Sequence, residues 1–229
     1  MTLKDLPSND GQVQEKKDPF EVHHLFTTPV FYVDKILNHD KVQKELDDCI
    51  DDIDWNLMEA WGTTHYLSTQ DFKEDIFKKH NLKALTIEMQ RNMQQFLKIL
   101  EFRPRPFHME NWFAKFERGN YGHIHNHGAA DISGVYYYKT SGKDGSIFFE
   151  SPNPAVECNK VFAQKCGGAR RYDPQEGTMI LFPGYLRHGI QTNDTDNTRI
   201  SLSFNIYFNK CRFGVLGWRK KFDRVIRRA

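Results

Sequence analysis

Three imidazoles recur at period two in Tyr121-Gly122-His123-Ile124-His125-Asn126-His127-Gly128. On an extended strand, side chains alternate between faces, so His123, His125 and His127 point one way and Ile124 and Asn126 the other. Neighbouring imidazoles on one face can lean their ring nitrogens toward a metal ion about 2.0–2.1 Å away. Three in a straight row cannot share one compact site, so two would coordinate and the remaining ligands must come from elsewhere in the fold. His188 is the candidate, because it follows the apolar run Ile180-Leu181-Phe182 and the turn residues Pro183-Gly184, which places it on a returning strand. A lone histidine reads more readily as a hydrogen-bonded polar residue. That reading is kept for His23, His24, His39, His65, His80 and His108; an HxHxH run with a distant partner reverses it.

A second pattern lies in Thr198-Arg199-Ile200-Ser201-Leu202-Ser203-Phe204-Asn205. Alternation puts Ile200, Leu202 and Phe204 on a core face and Arg199, Ser201 and Ser203 on the other. A guanidinium on a rigid strand is suited to gripping a carboxylate through two parallel hydrogen bonds, with a neighbouring hydroxyl adding a third.

The elements that must position these groups follow from periodicity. Residues 1–19 are polar and read as a disordered arm. The segment 25–33 reads as an edge strand interrupted by Pro29. Helical spacing appears over 42–53, near 70–79, and across 82–101, where Leu82, Leu85, Ile87, Met93, Phe96, Leu97 and Leu100 form a stripe that ends before Arg103-Pro104. From Asn111 onward the pattern alternates, predicting strands at 111–117, 121–126, 132–139, 146–150, 178–182, 188–193 and 199–208. So many short strands indicate a β-sandwich or barrel, carried by a helical front half. The domain expected is a single one over 20–209, with helical support at 20–110 and a β-core at 111–209.

Composition bounds what such a domain can be. With 39% hydrophobic and 27% charged residues in 229, the chain can bury a core and is not a disordered protein. No apolar run approaches membrane-spanning length, and the N-terminus has no secretory pattern. Cys49, Cys158, Cys166 and Cys211 form no CxxC pair, which argues against a thiolate zinc site and fits reduced thiols in the cytoplasm. The net charge of +2 is uneven: residues 217–229 carry +5, leaving −3 on the rest. The basic tail 210–229 is a candidate contact for nucleic acid or an acidic partner, although such ends are more often merely solvated. Oligomeric state is not legible.

HxH near the first core strand, a distal His188 and Arg199-Ile200-Ser201 eleven residues later resemble the iron(II)/2-oxoglutarate-dependent dioxygenases, whose pattern is HxD/E…H…RxS on a double-stranded β-helix. The nearer likeness is to a prolyl-hydroxylase-like subfamily of bacteria and phages. It is carried by Leu25-Phe26-Thr27-Thr28-Pro29-Val30, by His125-Asn126-His127 followed by Ile132-Ser133-Gly134-Val135-Tyr136-Tyr137, and by Leu181-Phe182-Pro183-Gly184-Tyr185-Leu186-Arg187-His188. The resemblance spans about residues 25–208. It implies an α+β chain with a jelly-roll or cupin-like double-stranded β-helix core and supporting N-terminal helices. It further implies an Fe(2+) enzyme with 2-oxoglutarate and O2 as co-substrates, hydroxylating a C–H bond of a protein or peptide side chain such as proline. By position, His125 and His188 are the implied iron ligands, and Arg199 with Ser201 is implied to hold the C5 carboxylate of 2-oxoglutarate. Tyr137 is implied to join them, with Tyr136 as the fallback; only one parity of that strand can face the pocket.

One position departs from the family. His127 stands where Asp or Glu is usual, leaving a site one unit more positive if His125, His127 and His188 are the ligands. Asp131 is the main alternative third ligand, and a register shift would bring in His123. Trp112, Tyr121 and the 153–176 loop are candidates for the substrate groove. Two rival readings stand beside the oxygenase. One is a cupin-like three-histidine metalloenzyme that does not use 2-oxoglutarate, which leaves Arg199 and Ser201 without a role. The other is a non-enzymatic β-sandwich binding module that uses the basic tail.

Overall fold

The computed structural model describes residues 27–58, 64–68, 74–103, 105–166 and 168–208. The polar arm 1–19 and the basic tail 210–229 lie outside the described residues, as does the start of the strand expected from Leu25. Two antiparallel sheets face one another. The larger has seven strands in the order β1 (Phe31–Val33), β9 (Met179–Pro183), β6 (Ile132–Lys139), β11 (Arg199–Phe208), β4 (Phe107–Phe116), β3 (His65–Leu67) and β2 (Asn56–Met58). The smaller has four, in the order β5 (Gly122–His125), β10 (His188–Ile190), β7 (Ile147–Phe149) and β8 (Arg170–Tyr172). This is a double-stranded β-helix core, and its outer face is covered by helices α1 (His39–Asp47), α2 (Ile76–Lys79) and α3 (Lys83–Ile99).

The front segment is not purely helical, because β1, β2 and β3 from it extend the larger sheet at both edges. β1 falls within the edge strand expected over 25–33, whereas β2 and β3 are only three residues long, too short for two-residue alternation to stand out in the sequence. The 153–176 segment likewise holds a 3₁₀ turn (Pro154–Cys158), helix α4 (Lys160–Cys166) and β8 rather than an unstructured loop.

Helix α3 forms because Leu85, Met89, Met93, Phe96 and Leu97 repeat at three- and four-residue spacing and all bury against the sheet. Each such side chain contributes about 1.5–3 kcal/mol when fully removed from water. Its N-terminus is capped from α1: the Glu45 carboxylate accepts the N–H groups of Ala84 and Leu85 at 2.7–3.2 Å. Its C-terminus stops at Glu101, held at φ 58°, where Phe102 donates back to the Leu97 carbonyl at 2.8 Å and Glu101 to that of Lys98 at 3.1 Å.

The central strands β6 and β11 are buried on both faces. On the helix side, Ile200, Leu202, Phe204 and Ile206 join Tyr136 and Tyr138 in the main core. Tyr138 donates its hydroxyl to Asp47 at 2.6 Å, and the Tyr136 hydroxyl meets His39 Nδ1 at 3.2 Å, fastening α1 to the sheet. Gly134 permits this packing, since a Cβ there would lie 2.4 Å from the Phe204 ring and 2.7 Å from Leu181. On the side facing the smaller sheet, the apolar residues divide into two clusters. One contains Val135, Tyr137, Ile147, Phe149, Ile180, Phe182 and Leu186, the other Leu67, Trp112, Ala114 and Phe116. A cavity between the sheets, which both clusters help to wall, is lined by His65, His125, His127, His188, Ser201 and Ser203. Among the described residues, no helix is long and apolar enough to cross a membrane.

Candidate metal centre

Strand β5 pairs with β10 so that His125 stands directly opposite His188. His127 lies two residues beyond the end of β5, in a loop sewn to the turn that precedes His188. Its backbone N–H donates to the Gly184 carbonyl at 2.9 Å. Gly184 is required at that junction, because a Cβ would sit 2.1 Å from the Ala130 carbonyl oxygen. The result is a triangle of imidazoles whose centroids are 4.5 Å (His125–His188), 5.0 Å (His127–His188) and 5.1 Å (His125–His127) apart. One nitrogen from each ring lies within 4.8 Å of the others.

The rings present the chemistry a metal needs. Nδ1 of His125 is 2.7 Å from the His123 carbonyl and Nδ1 of His188 is 2.9 Å from that of Leu186, so each Nδ1–H donates and Nε2 keeps its lone pair. Carbonyl contacts of this kind orient the ring and select the ligating tautomer. Burial depresses all three, with His127 pushed down to about 3 and His188 to about 4, helped by the neighbouring imidazoles. Three neutral nitrogen donors in this arrangement suit a divalent transition metal.

The depressed values have a consequence for stability. As pH falls through 6.5 the unfolded chain takes up protons that folded His188 refuses until about 4 and folded His127 until about 3. Stability is therefore full above pH 6.5 and is lost progressively down to about pH 3. With a chelator present, the thermal midpoint should drop across this window. His188→Gln should flatten the drop, and an unchanged slope in that variant would refute the assignment.

Arg199 lies at the start of β11, fully buried, with its guanidinium 4.0 Å over the ring of Phe116, its register partner on β4. Nη1 donates to the Gly145 carbonyl. Nε and Nη2 have no hydrogen-bond partner among the described residues. Burial lowers its pKa, partly offset by Tyr137 and Asp144, yet a guanidinium stays charged at any physiological pH. An unpaired buried charge with two free donors is costly unless an anion completes it. Ser201 sits opposite Tyr137 across β11 and β6, and both side chains line the cavity that also holds the three histidines. Tyr137 is buried and pushed up to about 12, so it remains a neutral hydroxyl. Tyr136 points to the helices instead.

Several of the sequence candidates lie elsewhere. Asp131 does not reach the histidines: its carboxylate accepts the Phe208 N–H at 2.7 Å and borders a larger apolar groove of about 570 Å³ beside the end of α3. His123 is exposed, and its carbonyl meets Nδ1 of His125. Trp112 lines the cavity, its ring 6.0 Å from His127. Tyr121 and the described residues of 153–176 do not line it. One residue was missed. His65 on β3 stacks on Phe116 at 4.6 Å and shares the cavity, its pKa pushed down to about 4 by burial, then by Arg199 and His125. Nothing in its local sequence marks it, because its place depends on the pairing of β3 with β4.

A family model described as "Putative 2OG-Fe(II) oxygenase" matches residues 110–205, the stretch that carries all of these groups except His65. The match runs from within β4 to within β11, the stretch that forms the β-core. Solved structures share this fold. A prolyl-4-hydroxylase from Pseudomonas putida aligns at TM-score 0.56 with 16% identity, covering 80% of this chain and 95% of that one. A Trichoplax adhaerens prolyl hydroxylase, solved with a peptide fragment of the hypoxia-inducible-factor oxygen degradation domain, aligns at 0.57 with 10% identity, covering 80% and 84%. HygX from Streptomyces hygroscopicus, solved with nickel and 2-oxoglutarate, aligns at 0.56 with 12% identity and the same coverage. No curated protein matches the chain in sequence.

Proposed function

We propose that the chain is an iron(II)- and 2-oxoglutarate-dependent dioxygenase that hydroxylates a C–H bond in a protein or peptide side chain, with proline the first candidate. The observation that carries the reading is a pair of complementary groups at one cavity. Three neutral imidazoles that line it have donor atoms within 4.8 Å of one another, and a fully buried guanidinium set against the Phe116 and Tyr137 rings of its wall has two N–H donors unpartnered among the described residues. A 2-oxo dicarboxylate has the matching ends, a chelating 2-oxo acid and a distal carboxylate. The rival three-histidine reading without 2-oxoglutarate leaves those two donors without a purpose.

In this assignment His125, His127 and His188 hold iron(II), with Nε2 of His125 and His188 aimed by the carbonyls of His123 and Leu186. Arg199 holds the distal carboxylate, and Ser201 and Tyr137 add hydroxyl donors to it. Iron(II) supplies the activation of O2 that couples oxidative decarboxylation of 2-oxoglutarate to substrate hydroxylation. The apolar walls, among them Trp112, Phe116, Phe182 and Ile190, keep bulk water from the reacting centre. A protein or peptide substrate is supported by the fold likeness to prolyl hydroxylases, one of them solved with a peptide. We assign residues 20–209 as one catalytic domain, and a cytoplasmic location, in keeping with the free thiols of Cys49 and Cys158.

The test is succinate formation from 2-oxoglutarate by the iron-loaded chain in air, without added substrate, alongside anaerobic 2-oxoglutarate binding. Slow succinate release together with saturable binding is expected. Absence of both would overturn the reading.

A further inference from the structure

We propose that the metal ion and the dianionic co-substrate are retained at this site as a pair, each held weakly without the other, because the cavity offers three neutral ligands and no carboxylate. This inference rests on the assignment of His125, His127 and His188 to the metal and of Arg199 to 2-oxoglutarate.

Among the described residues, no acidic side chain lines the cavity. Asp131 accepts the Phe208 N–H at 2.7 Å, and the buried Asp144 accepts the Thr140 hydroxyl and, at 2.6 Å, the Ser141 N–H. The Arg199 guanidinium lies against the cavity wall, 4.0 Å over the Phe116 ring, with Nε and Nη2 unpartnered among the described residues and Asp144 acting on it only through space. A divalent ion therefore enters a cavity with a positive charge at its wall, and its three imidazole ligands neutralise none of its own charge. With the usual carboxylate in place of His127, one unit would be cancelled before any co-substrate arrived.

A 2-oxo dicarboxylate brings two negative charges and places one at each end of the imbalance. A charge a few ångströms away, even at an effective dielectric of about 20, shifts an equilibrium by orders of magnitude. The coupling must be reciprocal: whatever factor the dianion adds to metal affinity, the metal adds to dianion affinity. The site then behaves as a coincidence detector, loaded only when both are present, and metal uptake responds to the supply of the dicarboxylate.

Cobalt(II) titrated anaerobically into the full chain tests this, because its visible band reports coordination without turnover. 2-Oxoglutarate should tighten cobalt(II) at least about tenfold, within the usual range for site-to-site coupling. 2-Oxobutanoate, which keeps the chelating head but lacks the distal carboxylate, should tighten it far less. His127→Asp should bind cobalt(II) alone more tightly than the wild type, with coupling to 2-oxoglutarate reduced at least about fivefold. Equal cobalt(II) affinity with and without 2-oxoglutarate would overturn the pairing while leaving the ligand assignment intact. Failure to bind cobalt(II) under any condition would overturn both. Should His127→Asp not fold, the contrast between the two oxo acids on the wild-type chain decides the matter alone.

Discussion

Arg199→Leu should abolish measurable 2-oxoglutarate binding while leaving the ligand-free protein at least as stable as the wild type. The two effects have one cause. In the free protein the guanidinium is wholly buried, bonded once to the Gly145 carbonyl and stacked on Phe116, with Nε and Nη2 unsatisfied. Replacing an uncompensated buried charge by an apolar side chain of similar volume is often neutral or stabilising. Leucine keeps contact with Phe116 and removes the two orphaned donors. With the co-substrate bound, those same donors would form a two-pronged bond to its distal carboxylate. Hydrogen bonds to charged groups contribute about 1.5–3 kcal/mol each, so losing two weakens binding by at least about a hundredfold. Arg199→Lys should fall between, because an ammonium keeps the charge but cannot reproduce the planar fork. Anaerobic titration of the iron-loaded variants and thermal unfolding of the free ones provide the two readouts. A marked fall in thermal midpoint with binding intact would mean that Arg199 is a structural residue.

The same stored cost explains why this part of the site is legible in one dimension. A strand that buries Ile200, Leu202 and Phe204 on one face must send Arg199, Ser201 and Ser203 the other way, and β11 does so across its length. The parity of β6 follows similarly, with Val135 and Tyr137 toward the smaller sheet and Tyr136 and Tyr138 toward the helices. What spacing alone does not convey is where a strand ends. An HxHxH run on an uninterrupted strand would place three rings in a row. Here β5 stops at His125, and the chain bends so that His127 turns back over His188 while His123 is left outside. That bend depends on contact between the 127–131 loop and the Pro183-Gly184 turn, some fifty residues away, which no local pattern encodes. His65 escaped for the same reason, since a three-residue strand carries too little periodicity to reveal its neighbour. The oxygenase likeness therefore came from motifs in order along the chain, whereas the membership of the metal shell is a property of loop packing.

Loss of one ring should be decisive for metal retention, and His188→Ala is the sharpest case. His188 is the most enclosed of the three, 4% exposed, packed between Phe149 and Phe182 with its Nδ1 fixed by the Leu186 carbonyl. Alanine removes one of three donors from a site with no carboxylate to compensate, and His65, the other imidazole of the cavity, is stacked on Phe116 outside the ligating cluster. Altering a residue that merely orients a ligand typically weakens metal affinity 10–100-fold, so removal of a ligand should exceed about a hundredfold and reduce succinate formation to background. Asp131→Asn provides the contrast. If the carboxylate only receives the Phe208 N–H, the amide oxygen can still accept it and metal affinity should stay within about twofold. Metal titration of the two variants side by side discriminates sharply. Strong loss in Asp131→Asn with near-normal affinity in His188→Ala would exchange the roles of these residues and restore a carboxylate to the centre.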